Sequence, residues 1–209
     1  MALFADRADA GTQLAASLRA WRGRDAVVLG IPRGGVVVAA VVAAAYGWPL
    51  DLVPVRKLGA HGNAELTVGA IAENVRVISE RTMRLTGTTP TDLERVEEAE
   101  RAELARRTAA YPSPGLDLTG RVAIVVDDGV ATGSTALAAC RAVRGRGASE
   151  VILAVPVAPH DWEPDDGVAD AFVCPHRPRD FRAVGQFYDR FPQTTDGEVA
   201  RLLAPGLPT

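Results

Sequence analysis

Short apolar runs alternate with segments of helical character along most of this chain, and that alternation restricts its fold more than any other feature. Asp25 to Gly30, Leu50 to Val55, Arg121 to Asp127, Val151 to Val157 and Val168 to Cys174 read as strands. Their apolar residues are nearly continuous, the pattern of parallel strands covered on both faces. Residues 8–21, Gly34 to Tyr46 and Thr135 to Arg146 read as helices, with Gly47 and Gly147 as stops. The expectation is an α/β domain with a central parallel sheet flanked by helices. Thr67 to Ala72 and Val75 to Ile78 add two strands joined by a turn at Glu73-Asn74. Thr91, with Glu94 three residues later, is expected to cap a charged helix over about 90–110. Tyr111 to Gly115 then breaks the chain, and the tail ends in a helix near Glu198 to Leu203.

The 209 residues, 47% of them hydrophobic, are enough for one domain that buries a core without disulfides or metals. No repeat or linker divides them. A net charge of −3 argues against a nucleic-acid-coating surface. The longest nearly uncharged run, Gly34 to Leu50, is too short to span a bilayer, and no secretory signal opens the chain. Cys140 and Cys174 form no disulfide framework or metal spacing, which fits reduced thiols in a cytoplasmic protein. Of the 23 basic residues only one is a lysine, Lys57.

Ligands of open parallel sheets bind at the carboxyl ends of the strands. Chemistry is therefore expected just after Leu29, Val55 and Val126. After Val126 come two acids, Asp127 and Asp128, then the small residues Gly129 to Gly133, then Ser134 and Thr135 at a helix start. Amides at a helix N-terminus favour a phosphate. Two carboxylates immediately upstream would repel it unless they hold something else on the same ligand, such as sugar hydroxyls. A phosphorylated ribose carries both groups. A capped strand–helix turn with incidental acids is the plainer alternative. No lysine follows the glycine as a P-loop demands, and no G-x-G-x-x-G follows a strand.

This segment resembles the phosphoribosyl pyrophosphate (PRPP) signature of the type I phosphoribosyltransferases. Gly30 to Gly35 resembles that family's pyrophosphate loop, although Pro-Arg-Gly-Gly also fits an ordinary tight turn. The resemblance places a non-proline cis peptide at Pro32–Arg33. Arg56 and Lys57, followed by a Gly-rich stretch containing His61, match a basic pair that helps hold pyrophosphate before a mobile loop; a solvated pair is the alternative. His61 is not expected to be catalytic. Asp180 to Asp189 resembles the segment after the last strand of hypoxanthine-guanine phosphoribosyltransferases, with Asp189 near the metal and Phe181, Phe187 and Tyr188 against a flat base. A hydrophobic tail docked on the core explains the same aromatics.

Nearly the whole chain is similar to bacterial phosphoribosyltransferase-like proteins of unassigned substrate. The resemblance implies a type I phosphoribosyltransferase fold in one domain, residues 1–209. Its small hood would come from the N-terminal edge and about 175–209, and the helix at 90–110 would be an insertion. It implies transfer of the 5-phosphoribosyl group from PRPP to a nitrogenous base, with Mg²⁺ as cofactor and pyrophosphate released. Arg33, Lys57, Asp127 and Asp128 would be catalytic. PRPP would be bound by Arg33, Gly34, Gly35, Arg56, Lys57, Asp127, Asp128, Val130, Ala131, Thr132, Gly133, Ser134 and Thr135. Asp128 and Asp189 would reach the metal mostly through water. No nucleic-acid or membrane partner is implied, and a homodimer is compatible. A PRPP- or nucleotide-binding regulator on the same fold is the alternative. Ala131 stands where 6-oxopurine enzymes of the family carry a proton-exchanging Asp, so hypoxanthine and guanine are expected to be poor acceptors.

Overall fold

The structure is a computed structural model that describes residues 2–60 and 62–204; His61 lies outside the described residues. Five parallel strands form the central sheet: β1 (Ala26–Gly30), β2 (Leu50–Leu52), β6 (Val122–Val126), β7 (Glu150–Ala154) and β8 (Ala171–Val173), in the order β2-β1-β6-β7-β8. Every residue of β1 and β6 is buried, because both sheet faces are covered. Alternate residues point to opposite faces. Val27, Leu29, Ala123 and Val125 pack with α5 (Ser134–Gly145), while Val28, Ile124 and Val126 pack with α1 (Arg7–Ser17) and α2 (Gly34–Tyr46).

The strand order sets the position of the site. From β1 the chain moves to β2 on one side, and the later strands extend on the other. The direction reverses between β1 and β6, so a crevice opens at their carboxyl ends. Gly30 lies beside Val126, and the Ile31 amide donates to the Val126 carbonyl at 2.8 Å. The two loops read from the sequence as ligand-binding are therefore neighbours.

Three expectations need correction. Arg56 to Ala60, read as the start of a loop, is strand β3. It pairs antiparallel with β4 (Asn63–Ala72), which pairs with β5 (Val75–Ile78), in a separate three-stranded sheet. A short helix, α3 (Glu80–Thr86), leads from β5 to the long helix α4 (Pro90–Ala110). α4 packs across this sheet, burying Leu93 and Leu104 against Leu58, Val68 and Ile71. Its cap is Thr89 with Asp92, not Thr91 with Glu94. Both pairs have capping-box spacing, and Pro90, which favours the first helical position, selects the earlier one. β2 ends at Leu52, β7 ends at Ala154 and β8 begins at Ala171, all shorter than expected.

After α4 the chain is tied back to the sheet by Asp51, which is fully buried. Its carboxylate accepts the Leu52 amide at 2.8 Å, the Ser113 hydroxyl at 2.6 Å and the Leu116 amide at 3.0 Å. At the other end of the chain, α6 (Asp196–Leu203) docks Val199 and Leu203 beside Val36, Leu52 and Tyr111. Among the described residues no helix is long and apolar enough to cross a membrane.

Candidate active site

A cleft of about 340 Å³ opens where β1 and β6 end. Asp127 and Asp128 form its floor. Asp127 Oδ1 accepts the Asp128 amide at 2.9 Å, and Asp128 Oδ2 accepts Arg7 Nε at 2.8 Å. Among the described residues, the second oxygen of each carboxylate accepts no hydrogen bond from the protein. Burial, then the Asp128 charge, raises the pKa of Asp127 well above its usual value. Burial raises that of Asp128 too, against the opposing pull of Arg7 and Lys57.

Beyond the acids the chain turns through Gly129 to Gly133 into α5. Gly133 holds φ at +83°, and a Cβ there would collide with the Trp162 indole, so glycine is required twice over. Among the described residues, the amides of Ala131 to Thr135 meet no protein acceptor. They are the open donors of a helix start, where an anion is stabilised. The Val130 amide is different: it donates to the Val157 carbonyl at 3.0 Å. Val130 lines the cleft as a buried apolar residue and offers no free amide.

Across the cleft, the Pro32–Arg33 peptide bond is cis, as the resemblance implied. Arg33 lines the cleft, with Nη1 3.8 Å from Asp196 Oδ1. Asp196 in turn accepts the Tyr111 hydroxyl at 2.7 Å. Gly34 and Gly35 open α2. A Cβ on Gly35 would lie 2.7 Å from the Val126 carbonyl oxygen, so the loop can press against the end of β6 only without side chains.

Several sequence assignments do not converge on the cleft. Neighbouring residues of a strand face opposite ways, so Arg56 and Lys57 on β3 cannot both enter it. Lys57 does. Arg56 instead meets Glu100 on α4, with Nε 2.6 Å from Oε2. Phe187 and Tyr188 are buried with Phe4, Ala10 and Val157, and Phe181 packs on the same cluster. These rings fill a core where the two ends of the chain meet, which leaves no platform for a base. Tyr188 also donates its hydroxyl to the Asp128 carbonyl at 2.5 Å, and burial keeps that phenol protonated. Asp189 is exposed and does not line the cleft; its amide pairs with the Phe4 carbonyl at 2.9 Å.

Two cleft-lining residues escaped the sequence reading. Arg7 opens α1 and bears no local motif. Phe191, beyond the aromatic stretch singled out above, lies under the Arg7 guanidinium, 3.9 Å from its carbon to the ring centroid. Trp162, behind the cleft on the loop after β7, was also missed; its indole N–H approaches the Thr132 carbonyl at 3.4 Å. Thiol chemistry has no place here. Burial pushes Cys140 up to about 12 and Cys174 up to about 11, and neither lines the cleft.

A parallel sheet with acids, an open helix start and three cations at its switch point is the architecture of type I phosphoribosyltransferases. The chain belongs to the phosphoribosyl transferase domain family, whose model matches residues 4–189. Proteins from two strains of Mycobacterium tuberculosis, each named as a phosphoribosyl transferase, are 47% identical over 207 residues, which is 97% of this chain and 47% of theirs. The chain thus spans about half the length of the curated relatives it matches. The protein TT1426 from Thermus thermophilus is 39% identical, with a TM-score of 0.75 over 97% of this chain and 98% of that one. A purine phosphoribosyltransferase from Pyrococcus horikoshii shares the fold at 18% identity and a TM-score of 0.50, covering 90% of this chain and 93% of its own.

Proposed function

We propose that this protein transfers the 5-phosphoribosyl group of PRPP to a nitrogenous base and releases pyrophosphate. One observation carries the reading. Two carboxylates, each with one open oxygen, stand one short loop away from a row of unbonded amides, and Arg33 and Lys57 face them. A ribose with hydroxyls on one side and a 5′-phosphate on the other matches that separation of acceptors from donors.

In this reading Asp127 Oδ2 and Asp128 Oδ1 accept the 2′ and 3′ hydroxyls. The amides of Ala131 to Thr135, with the Thr132, Ser134 and Thr135 hydroxyls, hold the 5′-phosphate. Breaking the bond from C1 to pyrophosphate leaves a ribosyl cation, and the departing oxygens gather negative charge. Arg33 and Lys57 stabilise that charge, a kind of preorganised contribution worth about 3–4 kcal/mol per donor. The N-terminal edge and the segment from about 175, which pack together around Phe4 and Tyr188, act as the hood.

The chain's own residues are compatible with Mg²⁺ carried in with the ligand. Among the described residues no three potential metal ligands cluster, so no protein cage exists. Mg²⁺ keeps several waters and is commonly bound through substrate phosphates; with the open oxygens of the acidic pair given to the ribose hydroxyls, Asp128 would reach the ion mostly through water. When bound, the ion would neutralise pyrophosphate charge.

The test is incubation with PRPP, Mg²⁺ and a panel of purine and pyrimidine bases, following pyrophosphate and nucleotide. Production of both with one base is the expected result. PRPP binding without turnover on any base would support a regulator in its place. Absence of PRPP binding would overturn the reading altogether.

A further inference from the structure

We propose that Arg7, which belongs to none of the motifs above, is the positioning residue that sets which oxygen of Asp128 faces the ribose. The inference rests on the ribose reading of the acidic pair. Three contacts fix the Arg7 guanidinium. Nε donates to Asp128 Oδ2 at 2.8 Å, Nη1 donates to the Pro192 carbonyl at 2.7 Å, and the guanidinium carbon lies 3.9 Å from the Phe191 ring centroid. The Arg7 side chain is only 11% exposed.

A charge-assisted bond from a fixed donor orients a carboxylate more firmly than a neutral one does. With Oδ2 so held, Oδ1 is the oxygen without a protein donor. Gly34 closes the remaining side. A Cβ there would run into the Asp128 carboxylate and come within 2.8 Å of Arg7 Nε. The ion pair is therefore packed against the pyrophosphate loop, and Asp128 cannot exchange its oxygens unless Arg7 first withdraws. Arg7 acts on the ribose through Asp128.

A different role must be separated from this one. As a cation lining the cleft, Arg7 could simply attract an anionic ligand, or it could hold the chain ends in place. Either role would act whether or not Asp128 is charged. A double-mutant cycle distinguishes them. PRPP affinity is measured by calorimetry with Mg²⁺ for the wild type, Arg7→Ala, Asp128→Asn and the double variant, with thermal unfolding run on each.

The expected result is a loss of about ten- to hundredfold in each single variant. The double variant should be no weaker than the weaker single one. Should Arg7→Ala fail to fold, Arg7→Lys takes its place. It keeps the charge but cannot make the fixed fork of contacts, so it should also lose affinity, and only while Asp128 is intact. Unchanged affinity in the Arg7 variant, or losses that add in the double variant, would overturn the inference and leave the ribose reading standing. A wild-type protein that does not bind PRPP would overturn both.

Discussion

Asp127→Asn should make this protein more stable and, at the same time, poorer at holding its ligand. The Asp127 carboxylate is half-buried at the cleft floor beside a second carboxylate, and its pKa is raised first by desolvation and then by the Asp128 charge. An acid whose pKa rises on folding opposes folding wherever it is ionised. That penalty is complete above the folded-state pKa and fades as pH falls toward the ordinary value of 3.8. Lys57 and Arg7 pull the other way without reversing it. Asparagine removes the charge yet keeps an oxygen for the Asp128 amide, now 2.9 Å from Asp127 Oδ1. The gain at neutral pH should be about 1–2 kcal/mol, typical of relieving an unfavourable functional group. In a domain of this size each kcal/mol raises Tm by about 2–4 °C. Binding should move oppositely, because a charge-assisted acceptor for a ribose hydroxyl is worth about 1.5–3 kcal/mol. Calorimetric unfolding at neutral and acidic pH, with PRPP titrations alongside, checks both halves. The stability difference should shrink on acidification. A variant less stable than wild type at neutral pH would refute the electrostatic argument, and unchanged PRPP affinity would refute the ribose assignment.

Lys57→Ala should lower turnover by tenfold or more, the order expected for losing a charged donor to a leaving group, while circular dichroism stays near wild type and Tm falls only slightly, since Lys57 offsets part of the acidic pair's charge. Asp51→Ala should cost about 2 kcal/mol in urea unfolding, since it strands the buried Leu52 amide and removes the acceptor of the part-buried Leu116 amide and Ser113 hydroxyl; PRPP affinity should be kept in the folded fraction. Hypoxanthine and guanine should be poor acceptors. Ala131 cannot exchange a proton with the purine ring, and such assistance is worth about 10²- to 10⁴-fold. Hypoxanthine turnover within the common enzyme range of about 1–10³ s⁻¹ would contradict this.

The central sheet was legible because its strands are buried on both faces and so spell continuous apolar runs. The two loops at its switch point were legible because their chemistry is local: glycines, hydroxyls and acids within a few residues of a strand end. What escaped detection depends on contacts between distant parts of the chain. Arg7 meets Asp128 across 121 positions, and nothing around Arg7 marks it out from an ordinary first-turn residue. The Arg56–Lys57 pair was half misread because the two were expected on a loop, where both could turn inward. On a strand, one must face α4. Phe187 and Tyr188 were assigned by residue type, but type alone does not distinguish a stacking ring from a core ring. Their burial is decided by Phe4, at the opposite end of the chain.

That meeting of the chain's ends bears on how the protein is made. Phe4 bridges to Tyr188, and the Arg7 guanidinium is held by the Pro192 carbonyl, 185 positions away. During synthesis, β1 to β8 and both ligand loops are complete before residue 188 emerges from the ribosome. The nascent chain can therefore assemble its sheet while the wall of the cleft formed by Arg7, Phe191 and Pro192 is still missing. Closing that wall is a late, long-range event of the kind that loop-closure entropy makes slow. A chain released short of residue 191 would carry every motif described above and yet leave Arg7 without two of its three anchors.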